Sequence, residues 1–171
     1  WERGRVTRIA HTGGGANGAT LGPDGGLYVA NNGGVSLGHE GRWTAPDPIT
    51  GRLQRVTHAG EVSDLATDLP GKPPNRPNDL CFGPDGRLYY TDPHNWEDLA
   101  NLGVGPVGRA TLDGRVELVV EVPGFPNGIA FGPDDRLYVA QSVVQTILVM
   151  DATPGAVPTV HATLPHGYPD G

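Results

Sequence analysis

The sequence has a single cysteine, Cys81, among its 171 residues. A lone cysteine cannot form a disulfide within the chain, and it offers no thiolate cluster for zinc. Because Cys81 lies in an apolar run, we expect it to be a small buried hydrophobic residue. The sequence also lacks any apolar run of the ~18 to 20 residues that span a membrane as a helix, so we expect a soluble protein with no membrane partner. The expected location is the cytoplasm, and a signal peptide upstream of Trp1 stays an open alternative.

Basic residues are scarce and scattered. The chain has 12 Lys and Arg residues against 19 Asp and Glu residues, and its net charge is −7. Nucleic-acid-binding modules normally carry a basic patch, so nucleic acid is excluded as a partner. The sequence also holds no Gly-x-Ser-x-Gly elbow and no phosphate-binding loop, and its histidines show no paired metal-ligand spacing.

Glycine and proline, in contrast, are abundant, at 27 and 17 residues. Both concentrate between apolar runs, which is typical of turns between short strands. One hairpin plan occurs three times, over residues 16–29, 76–93 and 126–139. Each copy has an asparagine, a short apolar strand, a Gly-Pro-Asp turn and a second strand that contains tyrosine.

Further strands are predicted by alternating apolar residues, and no stretch has a helical pattern of useful length. The predicted strands outside the hairpins cover residues 5–10, 53–56, 62–66, 108–112, 116–120, 146–150 and 159–162, and long loops are predicted at 31–50 and 92–106. Equivalent positions, Asn17, Asn78, Asn127 and Asp170, recur at intervals of roughly 40 to 60 residues. Four strands in each such period predict an all-β protein, a β-propeller of four-stranded blades.

The repeats also predict how the chain is divided. Residues 16–70, 71–122 and 123–165 each form a complete blade, residues 1–15 end one blade and residues 166–171 start the next. A propeller closes as a ring of typically 4 to 8 blades, so we expect residues 1–171 to form a single incomplete domain, part of a longer protein.

Strand direction predicts where the polar residues lie. If the innermost strand of each blade starts at the same face, Asn17, Asn78, Asn127 and Asp170 meet near the central channel. The Gly-Pro-Asp turns then lie at the opposite face, which makes Asp24, Asp85 and Asp134 turn formers. The loops at 31–50, 92–106 and 141–145 overhang the channel and offer six possible pocket walls: His39, Trp43, His94, Asn95, Trp96 and Glu97.

Carboxamide and carboxylate oxygens at a channel are hard ligands, which suit Ca²⁺ better than Zn²⁺ or copper. The alternative is structural. An asparagine in Pro-Asn-Gly or Pro-Asn-Asp can cap a turn through its own side chain, and the repeat would then preserve only geometry.

Three motifs carry a resemblance to a known family: Pro77-Asn78-Asp79 with residues 83–93, the stretch 126–131, and Tyr168-Pro169-Asp170-Gly171. In this combination and order they resemble the gluconolactonase / senescence-marker-protein (regucalcin) family. The resemblance covers nearly the whole chain. It implies a six-bladed β-propeller with one catalytic divalent metal, usually calcium, in the channel.

The resemblance also implies roles for individual residues. Asn127 matches a metal-binding asparagine, Asp170 a metal-binding aspartate that also serves as general base, and Asn78 an asparagine that contacts metal or substrate. Arg76 is similar to a substrate-contacting arginine. The family's remaining ligand, a glutamate of the first blade, has no counterpart here and is expected upstream of Trp1. Asn17 occupies a position without a ligand in the family, so we expect it to line the pocket or form a turn.

The resulting hypothesis is a Ca²⁺-dependent hydrolase of sugar-type lactones, with Zn²⁺ or Mg²⁺ as other possible cations and a small-molecule lactone as the partner. The oligomeric state stays open. Two alternatives remain: a related propeller enzyme that hydrolyses organophosphates or builds alkaloids, and a non-catalytic propeller that serves as a binding platform.

Overall fold

The protein is described by a computed structural model over residues 4, 6–38, 41–71, 74–94, 101 and 103–171, with the backbone alone at 36–38 and 41. Secondary structure in these residues consists of strands and turns, which confirms the predicted all-β class. None of them lies in a helix that is long and apolar enough to cross a membrane.

Three four-stranded antiparallel sheets make up the framework. The first contains β1 (Ala16–Leu21), β2 (Leu27–Asn31), β5 (Arg52–Val56) and β6 (Val62–Ala66). The second contains β7 (Leu80–Phe82), β8 (Leu88–Thr91), β9 (Val104–Ala110) and β10 (Val116–Pro123). The third contains β11 (Pro126–Phe131), β12 (Leu137–Gln141), β13 (Thr146–Met150) and β14 (Thr159–Thr163). Each sheet is a meander in chain order, the arrangement of a propeller blade.

Two stretches differ from the prediction. Residues 6–10 form no strand, and Val6 and Ile9 are largely exposed. Their alternating pattern has no neighbouring strand to pair with among the described residues. The predicted loop at 31–50 contains a hairpin of β3 (Val35–Gly38) and β4 (Gly41–Thr44), which stands apart from the first sheet as a two-stranded unit between β2 and β5.

The loop predicted at 92–106 is also shorter than expected, since β9 begins at Val104. Gly105 and Pro106 pair there with Val122 and Glu121 of β10. Glycine and proline gave no strand signal in the sequence, and only the long partner strand β10 reveals the pairing.

The core lies between adjacent sheets. One apolar cluster joins the first and second sheets, and a second cluster joins the second and third. Side chains of β8 alternate between them, since Leu88 and Tyr90 belong to the first cluster and Tyr89 to the second. The second sheet is therefore buried on both faces.

A polar side chain at the end of the second strand anchors each sheet to the linker that precedes it. Asn31 donates to Gly13 O at 2.8 Å and accepts from Gly15 N at 3.0 Å. Asp92 accepts from Arg76 N at 2.8 Å and from Asn75 Nδ2 at 3.1 Å. Gln141 donates to Pro123 O. We call Asn31, Asp92 and Gln141 the linker anchors.

Candidate active site

The starts of the three innermost strands lie side by side, because β7 packs against both β1 and β11. Backbone and side-chain hydrogen bonds fix this arrangement. Gly18 N donates to Asn78 O at 2.7 Å, and Thr91 Oγ1 donates to Asn127 O at 2.5 Å. The repeated Asn positions of three different sheets therefore share one end of the channel, as their position in each repeat predicted.

A cavity of about 260 Å³ opens at this end. We call it the channel cavity, and its lining consists of Asn17, Gly18, Asn78, Asp79, Asp170 and Gly171. Three of the predicted residues, Asn17, Asn78 and Asp170, thus lie together. Asn17 Nδ2 donates to Asn78 Oδ1 at 2.6 Å, so Asn17 both lines the pocket and holds the carboxamide of its neighbour.

Asn127 does not line this cavity, but the residue after it, Gly128, packs against the lining residues Asp170 and Gly171. Its side chain is 9% exposed, and its Nδ2 donates to Ser142 Oγ at 2.9 Å. Among the described residues, no donor lies within hydrogen-bonding distance of Asn127 Oδ1. A buried carboxamide oxygen without a partner costs free energy, so a position of this kind favours a ligand that binds the oxygen.

Arg76 lies elsewhere. It lines a cavity of about 520 Å³ between the β3–β4 hairpin and the linker to the second sheet, and its Nη1 donates to Asn32 O at 3.1 Å. The structure therefore does not bring Arg76 into the channel cavity with Asn78 and Asp170. A substrate contact by Arg76 stays a prediction.

Asp79 is a site residue that the sequence reasoning missed. Its Oδ1 accepts from Leu80 N at 2.8 Å, and its Oδ2 accepts from Ile129 N of β11 at 3.3 Å. Burial raises the pKa of the Asp79 carboxyl group, the two backbone donors oppose that rise, and the negative charge of Asp170 adds to it. Asp79 and Asp170 line the same cavity, and two carboxyl groups on one cavity favour a bound cation.

Two glycines leave room for these side chains. A Cβ at Gly18 would lie 2.7 Å from Asn78 O and 2.7 Å from Asp79 Cα. A Cβ at Gly128 would lie 2.6 Å from Gly171 Cα. The glycine after Asn17 and the glycine after Asn127 thus allow the inner strands to approach each other closely.

Of the predicted pocket walls, Trp43 is half exposed and His94 donates its backbone N–H to Asp92 Oδ1 at 2.9 Å. Neither residue lines the channel cavity. His39, Asn95, Trp96 and Glu97 lie outside the described residues. Cys81 is half-buried at the edge of the second apolar cluster, and burial raises the pKa of its thiol to about 12, which disfavours the thiolate at physiological pH.

The described residues contain no cluster of three His, Cys, Asp or Glu side chains that could hold a metal ion. The available donors are instead the carboxylates of Asp170 and Asp79 and the carboxamide oxygens of Asn78 and Asn127. This all-oxygen set fits Ca²⁺, which accepts carboxamide and carboxylate ligands together with water. The unpartnered Oδ1 of Asn127 supports the fit.

Comparison with known proteins gives the family and the fold. The sequence profile of the SMP-30/Gluconolactonase/LRE-like region matches residues 1–171. A gluconolactonase of Zymomonas mobilis is 32% identical over 111 residues, which cover 61% of this chain and 27% of that protein. The solved structure of a gluconolactonase of Xanthomonas campestris superposes with a TM-score of 0.66 at 27% identity, over 91% of this chain and 51% of that one.

A calcium-binding protein of Agrobacterium tumefaciens, regucalcin, shares the fold with a TM-score of 0.55 at 18% identity, over 90% of this chain and 64% of that one. These likenesses confirm the predicted β-propeller of four-stranded blades. The chain spans about half the length of the solved gluconolactonase and about a quarter of the curated one. With its profile matched from end to end, the chain belongs to the SMP-30/gluconolactonase/LRE-like family.

Proposed function

We propose that the protein is a Ca²⁺-dependent hydrolase of sugar-type lactones, and that the channel cavity is its active site. The observation that carries this proposal is the convergence of candidate oxygen ligands from three segments that are far apart in the sequence. Asn78 and Asp170 line one cavity. Asn127 has a buried, unpartnered Oδ1, and the residue after it, Gly128, packs against Asp170 and Gly171. The gluconolactonases of Zymomonas mobilis and Xanthomonas campestris support the reaction class.

In this proposal Asp170, Asn127 and Asn78 hold the cation. When bound, Ca²⁺ supplies a Lewis acid for the carbonyl oxygen of the lactone. Asp170 is exposed at the cavity, so its carboxylate can accept a proton from a water molecule. The water oxygen adds to the carbonyl carbon, the ring C–O bond breaks, and the ring oxygen takes a proton to give the open hydroxy acid.

Asn78 has a second possible role toward the substrate. Its Oδ1 accepts from Asn17, which leaves its amide N–H groups available for a hydroxyl or ring oxygen of a sugar-type lactone. Arg76 would contact the substrate only if its side chain turned from its present cavity toward the channel.

The test uses the full-length protein, stripped of metal by a chelator. We expect Ca²⁺ to bind in a calorimetric titration and to restore hydrolysis of a sugar δ-lactone. Asn127→Ala and Asp170→Ala each remove one ligand of the cation. We expect Ca²⁺ affinity and hydrolysis rate to fall by about 10-fold or more, which corresponds to a loss of about 1.4 kcal/mol of binding free energy.

The matched control is Asp134→Asn, at the turn that ends β11 on the opposite face from Asn127. We expect it to leave Ca²⁺ affinity and rate unchanged. Wild-type Ca²⁺ affinity and hydrolysis rate in both Asn127→Ala and Asp170→Ala would contradict the proposal. A panel of lactones and phosphotriesters separates a lactonase from an organophosphate hydrolase, and absence of Ca²⁺ binding by the wild type would favour a non-catalytic platform.

A further inference from the structure

Ser142 lies immediately after β12, is 5% exposed, and contacts two parts of the candidate site. Its Oγ accepts from Asn127 Nδ2 at 2.9 Å and donates to Pro169 O at 2.6 Å. Pro169 directly precedes Asp170. A single buried hydroxyl therefore connects the proposed asparagine ligand of the third sheet with the segment that carries the proposed aspartate.

The direction of these hydrogen bonds follows from the chemistry of the three groups. A carbonyl oxygen such as Pro169 O can only accept, and a serine hydroxyl has one proton to donate. Because Ser142 donates its only hydroxyl proton to Pro169 O, it can only accept a hydrogen bond from Asn127. The amide N–H₂ of Asn127 is the group that can donate, and its Oδ1 must therefore point the other way.

The orientation of the Asn127 carboxamide thus follows from the hydrogen-bonding chemistry of Ser142 and Pro169. The oxygen on the far side is the buried Oδ1 that has no donor among the described residues. The backbone of Asn127 is fixed as well, because Thr91 Oγ1 donates to its carbonyl oxygen at 2.5 Å. Asn127 is thus held at its main chain by the second sheet and at its side chain by Ser142.

Ser142 is itself well placed to hold other groups. Its backbone N–H donates to Phe125 O at 3.2 Å, so the residue is fixed to the linker that precedes β11. The 167–171 segment has a second tether on the same sheet, since Gln145 Nε2 donates to Gly167 O at 2.8 Å.

We propose that Ser142 is a positioning residue of the cation site: it aims the Oδ1 of Asn127 at the cation and fixes the main chain that carries Asp170. The proposal rests on the proposed function, because it assigns Ser142 to the same site. Outer groups that orient metal ligands typically change metal affinity by about 10- to 100-fold when removed.

The experiment compares three variants of the full-length protein with the wild type. Ser142→Ala removes the hydroxyl, Ser142→Thr keeps it, and Thr146→Ala is the matched control. Thr146 Oγ1 donates to Gln141 Oε1 at 2.5 Å in the same sheet, without contact to Asn127 or Pro169. Calorimetric titration with CaCl₂ gives the Kd, and thermal unfolding in chelator gives the stability of each metal-free protein.

We expect the Ca²⁺ Kd to rise by about 10- to 100-fold in Ser142→Ala and to stay near the wild-type value in Ser142→Thr and Thr146→Ala. In chelator, we expect Ser142→Ala to lose more thermal stability than Thr146→Ala, because Ser142→Ala loses two hydrogen bonds and Thr146→Ala loses one half-buried hydrogen bond. A metal-free readout is the side-chain ¹H–¹⁵N signal of Asn127, which should shift in Ser142→Ala and stay in place in Thr146→Ala.

Wild-type affinity in Ser142→Ala, or an equal loss in Thr146→Ala, would overturn the role of Ser142 while leaving the proposed function intact. A wild type that binds no Ca²⁺ would overturn the proposed function, and the positioning role with it.

Discussion

Asp92 is a linker anchor whose carboxylate is fully buried, and its charge is balanced by hydrogen bonds. It accepts from Arg76 N, Asn75 Nδ2 and His94 N at 2.8, 3.1 and 2.9 Å. Burial raises the pKa of the Asp92 carboxyl group above 3.8, and these donors oppose the rise without cancelling it. Ionisation of the anchor is therefore costlier in the folded protein than in the unfolded chain.

This arrangement predicts how stability depends on pH. A carboxyl group with a raised pKa in the folded state binds its proton more tightly there than in the unfolded chain. Its favourable contribution is complete below about pH 3.8 and is lost as the pH rises through the folded-state pKa. A pKa that is higher by one in the folded state than in the unfolded chain corresponds to about 1.4 kcal/mol in the free energy of unfolding.

Asp92→Asn removes the titration and keeps the shape. We expect the free energy of unfolding of the wild type, measured with urea, to decline relative to the variant as pH rises from about 4. The subtraction cancels the other titrating groups. If the free energy of unfolding of the wild type instead rose relative to the variant with increasing pH, the three donors would lower the pKa of Asp92 and the interpretation would be wrong.

Much of the candidate site could be predicted at this scale, because the repeat places equivalent residues at equivalent depths. Asn17, Asn78 and Asp170 lie together as predicted, and Asn127 lies on the adjacent strand. Asp79 and Ser142 could not be predicted, since their roles depend on contacts with Ile129 and Pro169, which are distant in sequence. The sequence around an aspartate or a serine does not indicate which distant backbone group its side chain will bind.

At the scale of elements, the Gly-Pro-Asp turns of the three sheets share the same local hydrogen bonds. Asp24, Asp85 and Asp134 each accept the backbone N–H two residues on and the hydroxyl of a tyrosine four residues on. These bonds bear out their interpretation as turn formers. The fourth turn residue has a positive φ in every copy, with Gly25 at 76°, Gly86 at 74° and Asp135 at 57°.

The three copies predict which residues the fourth position tolerates. A Cβ at Gly86 meets no atom within 4 Å, so a substitution there tests backbone strain alone. We expect Gly86→Ala to lower the free energy of unfolding by about 1 to 2 kcal/mol. Gly86→Asp should cost less, because aspartate tolerates this conformation and Asp135 already adopts it. Urea denaturation of both variants provides the measurement, and equal losses would contradict the interpretation.

Strand prediction succeeded where turn residues bound an alternating run and failed where pairing decides the outcome. The three repeated hairpins lie where the sequence predicted them. Residues 6–10 have the pattern of a strand without a pairing partner in the described chain, whereas Val104–Ala110 has glycine and proline but pairs with β10 along its length. Hydrogen bonding between strands is a property of two segments, and a single segment does not encode it.

At the scale of the whole molecule, each apolar cluster joins only two neighbouring sheets, whereas the proposed cation site lies where more than two parts of the chain meet. One cluster links the first sheet to the second and another links the second to the third. The channel cavity is lined from the first sheet, from the linker before β7 and from the end of the chain at Asp170. A cation bound there would connect all of these at one point.

This geometry predicts stabilisation by Ca²⁺. A ligand that binds only the folded state at 100 times its Kd adds about 2.7 kcal/mol to the free energy of unfolding. We expect the thermal midpoint of the full-length protein to rise on addition of Ca²⁺ to chelator-treated protein. Asp170→Ala should reduce the rise, because a 10-fold weaker Kd at the same Ca²⁺ concentration lowers the added free energy to about 1.4 kcal/mol. A rise of the same size in that variant would place the stabilising ion elsewhere.

The linker anchors also bear on how such a ring can grow. Asn31, Asp92 and Gln141 occupy the same place in three sheets, and each binds the segment that shortly precedes the first strand of its own sheet. For Gln141 this segment starts at Pro123, the last residue of β10. The attachment of a sheet is therefore encoded within its own repeat, as in other repeat architectures whose units contact only their neighbours. Duplication of one linker together with its sheet would also copy the anchor, so the new blade would contain the hydrogen bonds that attach it to its linker.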